Sequence, residues 1–310
     1  MLTIIAGIAG LALLYYGAEF LVKGGSSIAL KLKISPLVIG LTLVAYATSA
    51  PELVVSVDAA LKGMGDVSIG NVVGSNICNI ALILGICAII TPLKVNKKLL
   101  QFDIFLMLAA SLALVGCFYL NSGVNRWQGA ILLTGSIAYT VWSIYASRKE
   151  NAENCDEVPS KVYPLFWAVL LVAVGLAALI GGAKLFVYAA IELAKLCKVS
   201  EAVIGLTVVA VGTSLPELAT SVVAAIRKEQ DIAIGNVIGS NIFNILAILG
   251  IAPLIKPIET AGISYVDMAL MIFTGALLYP FMRTGYKINR LEGAILLIIY
   301  IGYTTYLIMA

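Results

Sequence analysis

The chain has 310 residues, of which 61% belong to the apolar set AVILMFWYC and only 12% carry charge, with a mean hydropathy of +1.03. A soluble domain has roughly 45–50% apolar and about 25% charged residues, so this composition excludes a soluble globule. The net charge of +3 comes without a long basic stripe, which excludes nucleic acid as a partner. The lipid bilayer is the surrounding that such a chain requires.

The residue types also exclude several kinds of chemistry. The absence of histidine removes imidazole metal ligands and His-based acid/base or proton-relay chemistry. The cysteines are odd in number and show no C-x-x-C spacing, so neither a disulfide framework nor a zinc site is predicted. They are Cys78, Cys87, Cys117, Cys155 and Cys197. The apolar start from Leu2 to Leu14 has no basic region before it, which indicates a retained first span.

Apolar runs of at least about 18 residues predict ten membrane-spanning helices. They lie near residues 2–22, 37–60, 67–92, 100–120, 127–147, 163–188, 202–226, 232–255, 264–282 and 291–309. A charged stretch from Arg148 to Lys161 divides them five and five. The predicted fold class is therefore an all-α membrane protein with a first five-helix repeat (1–147), a linker (148–162) and a second five-helix repeat (163–310).

The distribution of basic residues predicts the orientation, because cytoplasmic connections carry the excess of Lys and Arg. Of the 20 Lys and Arg residues, 14 fall in the odd-numbered connections, including Lys23 in the first. We therefore expect a multi-pass protein of the cell membrane with both termini extracellular and the central linker cytoplasmic.

Two sequence blocks occur twice. Ile39–Leu53, IGLTLVAYATSAPEL, recurs as Ile204–Leu218, IGLTVVAVGTSLPEL, and Ile69–Gly85, IGNVVGSNICNIALILG, recurs as Ile234–Gly250, IGNVIGSNIFNILAILG, both at an offset of 165 residues. Because each half holds five predicted spans, an odd number, the second half enters the membrane from the opposite side. Such inverted-topology repeats are typical of secondary transporters, whose substrate site lies near the midplane.

The first block places polar side chains inside an apolar span. Thr48 lies four residues and Ser49 three residues before Glu52, so these side chains share one side of the helix. Pro51 lacks an amide hydrogen and interrupts the helical ladder, which can leave carbonyls facing a cavity. A carboxylate at this depth is costly and points to function. The seventh span repeats the pattern with Thr213, Ser214, Pro216 and Glu217.

The second block adds hydroxyl and amide oxygens. Ser75 and Asn79 in the third span and Ser240 and Asn244 in the eighth are each four residues apart. Together the repeats supply only oxygen ligands with two carboxylates, which suits a hard cation such as Ca²⁺, with six to eight oxygens, or several Na⁺ ions. For the further amides Asn71, Asn76, Asn236 and Asn241 we favour interhelical hydrogen bonding over ligation.

Three other acidic side chains receive weaker support. Asp58 corresponds to Val223 in the second repeat, so the repeat symmetry does not support a role for it. Asp103 and Asp267 lie near predicted span ends, where we expect them to be solvated. Gly17, Gly181 and Gly182 are expected to let the first and sixth spans pack closely.

The doubled T-S-x-P-E and G-N-x-x-G-S-N-x-x-N motifs resemble the two repeats of the sodium/calcium exchanger family, in its ten-helix prokaryotic form. The resemblance covers essentially the whole chain. It implies that spans 2, 3, 7 and 8 form a core and that spans 1 and 6 move across it. It also implies a ligand set made of Glu52, Glu217, Thr48, Ser49, Ser75, Asn79, Thr213, Ser214, Ser240 and Asn244, with the backbone carbonyls of Ala45 and Ala210.

One departure from certain relatives bears on selectivity. The G-N-x-x-G-S-N-x-x-N motif ends in asparagine in both repeats, at Asn79 and Asn244. Certain relatives, including potassium-dependent exchangers, have aspartate at the position of Asn244. The embedded charge is then −2, which favours exchange that does not depend on potassium.

The resemblance implies a secondary antiporter that exchanges sodium for calcium by alternating access, with no cofactor and no enzymatic activity. A monomer suffices for such a mechanism. A calcium/proton exchanger and a potassium-dependent sodium/calcium exchanger remain alternatives, and a passive cation channel is a third. An intramembrane hydrolase is disfavoured because the sequence has no G-x-S-x-G, no G-x-G-D and no histidine.

Overall fold

The computed structural model of the protein describes residues 2–121, 123–153, 163–196, 210–259 and 264–309. Its first-half helices are α1 (Leu2–Leu32), α2 (Pro36–Thr48), α3 (Ala50–Leu61), α4 (Gly65–Ile90), α5 (a π-helical turn Leu99–Asp103 continued by Ile104–Asn121) and α6 (Arg126–Glu153). Its second-half helices are α7 (Leu165–Leu196), α8 (Ala210–Gly212), α9 (Leu215–Ile226), α10 (Gln230–Ile255), α11 (Tyr265–Arg283) and α12 (Arg290–Met309).

Within the described residues, eight helices are long and apolar enough to cross a membrane, and α2 with α3 forms a ninth, bent span. The predicted seventh span is described only in part, as α8 and α9, because residues 197–209 lie outside the described ranges. Residues 154–162 of the predicted linker also lie outside them, as do Cys155 and Cys197. The boundaries of the two repeats and the linker therefore stay a prediction.

Three predicted spans end too early. Helix α1 continues to Leu32, α6 to Glu153 and α7 at least to Leu196, whereas the apolar runs predicted ends at residues 22, 147 and 188. Residues 148–153 of the predicted linker are therefore helical. Lys23 is therefore part of α1 and not of the first connection. Polar side chains do not interrupt the backbone hydrogen bonds of a helix, so the helical ladder continues beyond the apolar stretch.

The repeat symmetry is visible in two small antiparallel sheets. β1 (Leu93–Lys94) pairs with β4 (Lys287–Ile288), and β2 (Gly123–Val124) pairs with β3 (Ile258–Glu259). Each sheet joins one strand from each half. The two sheets are thus equivalent positions of the repeat, and they connect the halves at both ends of the helices.

The long helices α1 and α7 lie antiparallel and touch through small residues seven positions apart. A Cβ on Gly17 would lie 2.8 Å from the Gly175 carbonyl, and one on Gly175 would lie 2.7 Å from the Gly17 carbonyl. Gly10 and Gly182 make the equivalent contact one heptad away. The close packing predicted for Gly17 and Gly182 is therefore present, but a Cβ on Gly181 would meet nothing within 4 Å.

The core helices are locally irregular where the two repeated blocks lie. α2 and α3 meet at a bend of 48°, because Pro51 in the first turn of α3 donates no hydrogen bond. Pro216 has the same position in α9. Within α4 and α10 the helix widens into π-helical turns at Cys78–Leu84 and Asn244–Ile248. Such turns are often found at functional sites.

Candidate ion-binding site

Two buried carboxylates lie at the centre of the molecule. Glu52 and Glu217 are each 1% exposed and stand in the first turn of α3 and α9 respectively. The positive end of a helix dipole favours a carboxylate in this position. The proline-induced restart of each helix therefore places its glutamate at a helix N-terminus inside the protein.

Each carboxylate is held by a serine of the other repeat. The Ser49 hydroxyl donates to Glu217 Oε1 over 2.7 Å, and the Ser214 hydroxyl donates to Glu52 Oε1 over 3.2 Å. Ser214 Oγ also lies 3.4 Å from Ser75 Oγ. These bonds cross between residues more than 130 positions apart in the chain. The fold thus brings the two T-S-x-P-E motifs to one place, as the repeat predicted.

The orientation of the Asn79 and Asn244 amides follows from a second pair of asparagines. The Nδ2 atoms of Asn76 and Asn241 each lie 3.4 Å from the other residue's backbone carbonyl, which can only accept a hydrogen bond. Their Oδ1 atoms therefore point the other way and accept from Asn244 Nδ2 at 3.0 Å and Asn79 Nδ2 at 3.1 Å. The Oδ1 atoms of Asn79 and Asn244 are left without a hydrogen-bond partner among the described residues.

Asn71 and Asn236 hold the first turns of α3 and α9 through their side-chain amides. Asn71 Nδ2 donates to the Glu52 carbonyl (3.2 Å), and Asn236 Nδ2 lies 3.4 Å from the Glu217 carbonyl. Asn236 Oδ1 also accepts from the Thr48 hydroxyl over 3.1 Å. The four additional asparagines are thus engaged in hydrogen bonds between helices, which is the role the sequence favoured for them.

Six buried oxygen atoms of the motif residues have no hydrogen-bond partner in the described part of the chain. A buried oxygen atom without a hydrogen-bond partner is costly, and a bound cation or water molecule would provide one. Their number equals the lowest coordination number that Ca²⁺ usually has in proteins, about six oxygen ligands. They are Glu52 Oε2, Glu217 Oε2, Asn79 Oδ1, Asn244 Oδ1, Ser240 Oγ and Thr213 Oγ1.

The two predicted carbonyl ligands differ in their surroundings. The Ala45 carbonyl accepts the Ser49 amide over 2.9 Å and lies 3.3 Å from the Thr48 hydroxyl. In the second repeat the Ser214 amide donates over 3.1 Å to the Val211 carbonyl, one residue beyond Ala210.

The expectation that Asp103 is solvated is wrong. Asp103 is only 6% exposed and accepts a hydrogen bond from Tyr139 over 2.9 Å, because the first turn of α5 packs against α6. Asp267 is half-buried and accepts the equivalent bond from Tyr303, also over 2.9 Å. Asp58 is exposed and pairs with Lys62 one helical turn away, so it belongs to the surface.

The two flanks of the site differ, and the sequence motifs did not reveal this. On the closed flank, where α1 packs on α9, Glu19 of α1 forms an ion pair of 2.5 Å with Arg227 and one of 2.7 Å with Lys23. On the open flank, between α3 and α7, lies a cavity of about 340 Å³. Its lining includes Pro51, Lys184 and Thr213. The sequence does contain one indication of this difference, because at the offset of 165 residues Glu19 of the first repeat corresponds to Lys184 of the second.

Two inverted five-helix repeats that meet at a buried polar centre with two carboxylates define a multi-span membrane transporter and not an enzyme. The chain belongs to the sodium/calcium exchanger protein family, whose model matches residues 2–145 and 167–309. The family resemblance drawn from the doubled motifs is thereby confirmed, and with it an antiporter of the cation/calcium exchanger type.

Known relatives match over nearly the full length. The chain is 40% identical over 304 residues to the putative antiporter CaxA of Alkalimonas amylolytica, covering 95% of each chain. It is 34% identical over 333 residues to the sodium/calcium exchanger MaX1 of Methanosarcina acetivorans, again covering 95% of each. A solved structure of the sodium-calcium exchanger NCX_Mj superimposes with a TM-score of 0.85 at 36% identity and covers 99% of each chain. This similarity confirms the all-helical fold class.

Proposed function

We propose that this protein exchanges sodium for calcium across the membrane by alternating access to one buried, all-oxygen site. The observation that carries the proposal is the set of six unpartnered buried oxygen atoms on the repeated motifs. Two of them belong to carboxylates and two to amides whose orientation the neighbouring asparagines determine. Hard cations prefer such ligands, and neither Ca²⁺ nor Na⁺ requires thiolate or imidazole.

The proposed ligand set is the one implied by the family motifs. The side-chain oxygens come from Thr48, Ser49, Glu52, Ser75 and Asn79 in the first repeat and from Thr213, Ser214, Glu217, Ser240 and Asn244 in the second. The carbonyls of Ala45 and Ala210 complete it. Serine hydroxyls that now donate to the glutamates can rotate, so that their oxygens face a bound cation instead.

The charge of the site explains why the two ions exclude each other. Glu52 and Glu217 together carry −2 when ionised, and one Ca²⁺ neutralises them. Sodium ions need the same oxygens, so the two substrates compete, which is the physical requirement for exchange. An empty site leaves two uncompensated charges in a region of low dielectric, and this disfavours its passage between the two sides.

Two finer features belong to the same proposal. Because both repeats carry asparagine at the motif end, Asn79 and Asn244, the charge stays at −2 and potassium is not required. The excess of basic residues in odd-numbered connections supports extracellular termini and a cytoplasmic linker. By that orientation the open flank faces outward. The inner membrane protein YrbG of Escherichia coli, 36% identical over 265 residues, supports a cell-membrane location.

The test is uptake of ⁴⁵Ca²⁺ into proteoliposomes loaded with sodium, compared with vesicles loaded with potassium or choline at equal pH. We expect uptake only with the outward sodium gradient. Glu52→Gln and Glu217→Gln should each reduce it to background while the protein stays folded. Asp58→Asn is the matched control, since it removes an exposed carboxylate from the same helix α3 and should leave uptake unchanged.

Proton coupling is the main rival, because embedded carboxylates can bind protons. A sodium-free assay with an imposed pH gradient separates the two mechanisms. Calcium uptake driven by the pH gradient alone, or sodium-driven uptake that persists in Glu52→Gln, would refute the proposal.

A further inference from the structure

We infer that Lys184 sets the selectivity between divalent and monovalent cations for access to the site from the open flank. The inference rests on the proposed exchange function and adds a residue that lies outside the repeated motifs. Lys184 lines the cavity between α3 and α7, together with Thr213, whose hydroxyl is one of the unpartnered oxygens. The Thr213 hydroxyl oxygen itself is buried, so the cavity lies beside the site without reaching its oxygen atoms, and it carries a cationic side chain at its wall.

The surroundings of Lys184 leave its charge effective. The other side chains that line the cavity are almost all apolar, among them Val54, Ile180 and Val187. Walls of low dielectric constant focus the field of a charge into the cavity. Lys184 forms no ion pair with any carboxylate that the structure describes. A cation that enters by this route therefore meets a positive potential.

The charge at this position differs between the two flanks. At the offset of 165 residues, the position equivalent to Lys184 in α7 is Glu19 in α1. Glu19 is buried against α9 and paired with Arg227 and Lys23. The glutamates, serines and asparagines of the site are the same in both repeats, whereas this pair of positions carries opposite charges. The repeat symmetry of the site is thus broken at its two approaches.

The positive potential distinguishes Ca²⁺ from Na⁺ because the two ions differ in charge. The electrostatic energy of an ion is proportional to its charge, so a given potential disfavours Ca²⁺ with twice the energy that it disfavours Na⁺. The change in the dissociation constant for Ca²⁺ is then the square of the change for one Na⁺. Lys184 therefore favours replacement of calcium by sodium on the side to which the open flank faces.

The experiment measures equilibrium ⁴⁵Ca²⁺ binding to the purified full-length protein in detergent, and Na⁺ affinity by competition. At low ionic strength we expect Lys184→Gln to tighten Na⁺ binding about threefold per ion and Ca²⁺ binding about ninefold. Raising the ionic strength with choline chloride shortens the Debye length to about 3 Å near 1 M and should reduce both changes. A merely structural role of Lys184 would produce neither the square relation nor the salt dependence.

Three further variants make the result decisive. Lys184→Glu should tighten Ca²⁺ binding beyond Lys184→Gln, and Lys184→Arg should behave as the original protein. Lys195→Gln is the matched control, because it removes a positive charge from the same helix where Glu192 already pairs with it, and should change neither constant. Lys184→Met, a second neutral variant of similar length, should reproduce Lys184→Gln.

The failures of the two proposals are distinguishable. Equal changes for Ca²⁺ and Na⁺, changes that are not reduced at high salt, or the same effect in Lys195→Gln would overturn the inference about Lys184 alone. Absence of competition between Na⁺ and Ca²⁺ in the original protein would overturn the exchange proposal itself, and the inference with it.

Discussion

The closed and open flanks occupy equivalent positions of the inverted repeat, yet they differ in packing and charge. On the closed flank, Glu19 and Arg227 join α1 to α9, and Thr48 donates its hydroxyl to Asn236. On the open flank a cavity separates α3 from α7, and the Thr213 hydroxyl has no described partner. The same sequence motif thus exists in a closed and an open arrangement within one molecule.

The residues responsible for this difference lie outside the motifs. At the offset of 165, Arg227 corresponds to Lys62, and Glu19 corresponds to Lys184. An attractive pair on one flank therefore corresponds to two like charges on the other. Lys62 pairs with Asp58 of its own helix, so it does not join α3 to α7. The glutamates, serines and asparagines of the site are thus the same in both repeats, whereas the charges at its two flanks differ.

The largest effect should come from the symmetric centre. Asn241→Leu removes the acceptor that holds Asn79 Nδ2 and the donor that holds the Asn76 carbonyl. The Asn79 amide is then free to turn its NH₂ group towards the cation. Residues that orient metal ligands typically contribute 10–100-fold to metal affinity, so we expect a loss of Ca²⁺ affinity of about that size.

Asn76→Leu should cause an equal loss, because it removes the acceptor that holds Asn244 Nδ2 and the donor that holds the Asn241 carbonyl. Titration calorimetry with Ca²⁺ measures both variants. Thr274→Val is the control, since Thr274 is equally buried but bonds only to carbonyls of its own helix. Clearly unequal losses in the two asparagine variants would mean that the centre is not symmetric.

The centre was predictable from the sequence because the repetition reveals it. Polar residues within apolar spans are costly, so their recurrence at a constant offset predicts Glu52, Glu217, Asn79 and Asn244 as candidates for one site. The prolines also predicted the bend. The extension of α1 to Leu32 and of α7 beyond residue 188 was not predictable in this way, since hydropathy reports the apolar stretch and not the length of the helical ladder.

The flanks and the Asp103 environment were missed for a different reason. Burial of Asp103 depends on the packing of α5 against α6, which no local pattern encodes. Glu19 and Arg227 are 208 residues apart, and their partnership arises only from the crossing of α1 over α9. A charge reversal between repeat positions was visible in the sequence, but its meaning required the arrangement of the helices.

A smaller effect is expected at the closed flank. Arg227 is half-exposed, so its ion pair with Glu19 should contribute about 0.5–1 kcal/mol. Arg227→Gln should therefore raise the equilibrium constant for local opening of α1 about two- to fivefold. Hydrogen–deuterium exchange of the α1 amides around Glu19 measures this change. The equivalent variant Lys62→Gln should leave the exchange of α7 unchanged, because Lys62 bonds within its own helix.

The double variant Glu19→Gln/Arg227→Gln completes this test. If the two side chains stabilise the flank through their contact, its opening should resemble that of Arg227→Gln alone. Additive effects of the two changes would show that the ion pair does not hold the flank closed.

The smallest expected effect compares two hydrogen bonds of identical length in the two repeats. Tyr139 donates to Asp103 and Tyr303 donates to Asp267, each over 2.9 Å. Asp103 is buried and Asp267 half-buried, so only Asp103 loses a donor that water cannot replace. Tyr139→Phe should therefore destabilise the protein by about 1–2 kcal/mol and Tyr303→Phe by less than about 1 kcal/mol.

Thermal unfolding in detergent measures this difference, which corresponds to about 1.5 °C per kcal/mol for a chain of 310 residues. Asp103→Asn supplies the control, because leaving a neutral amide without the Tyr139 hydroxyl costs less free energy than leaving a carboxylate without it. Tyr139→Phe should therefore destabilise the Asp103→Asn variant less than it destabilises the original protein. Equal shifts for Tyr139→Phe and Tyr303→Phe would mean that both carboxylates reach water. The unequal burial of equivalent residues would then have no energetic consequence, and the asymmetry between the repeats would be confined to the two flanks of the site.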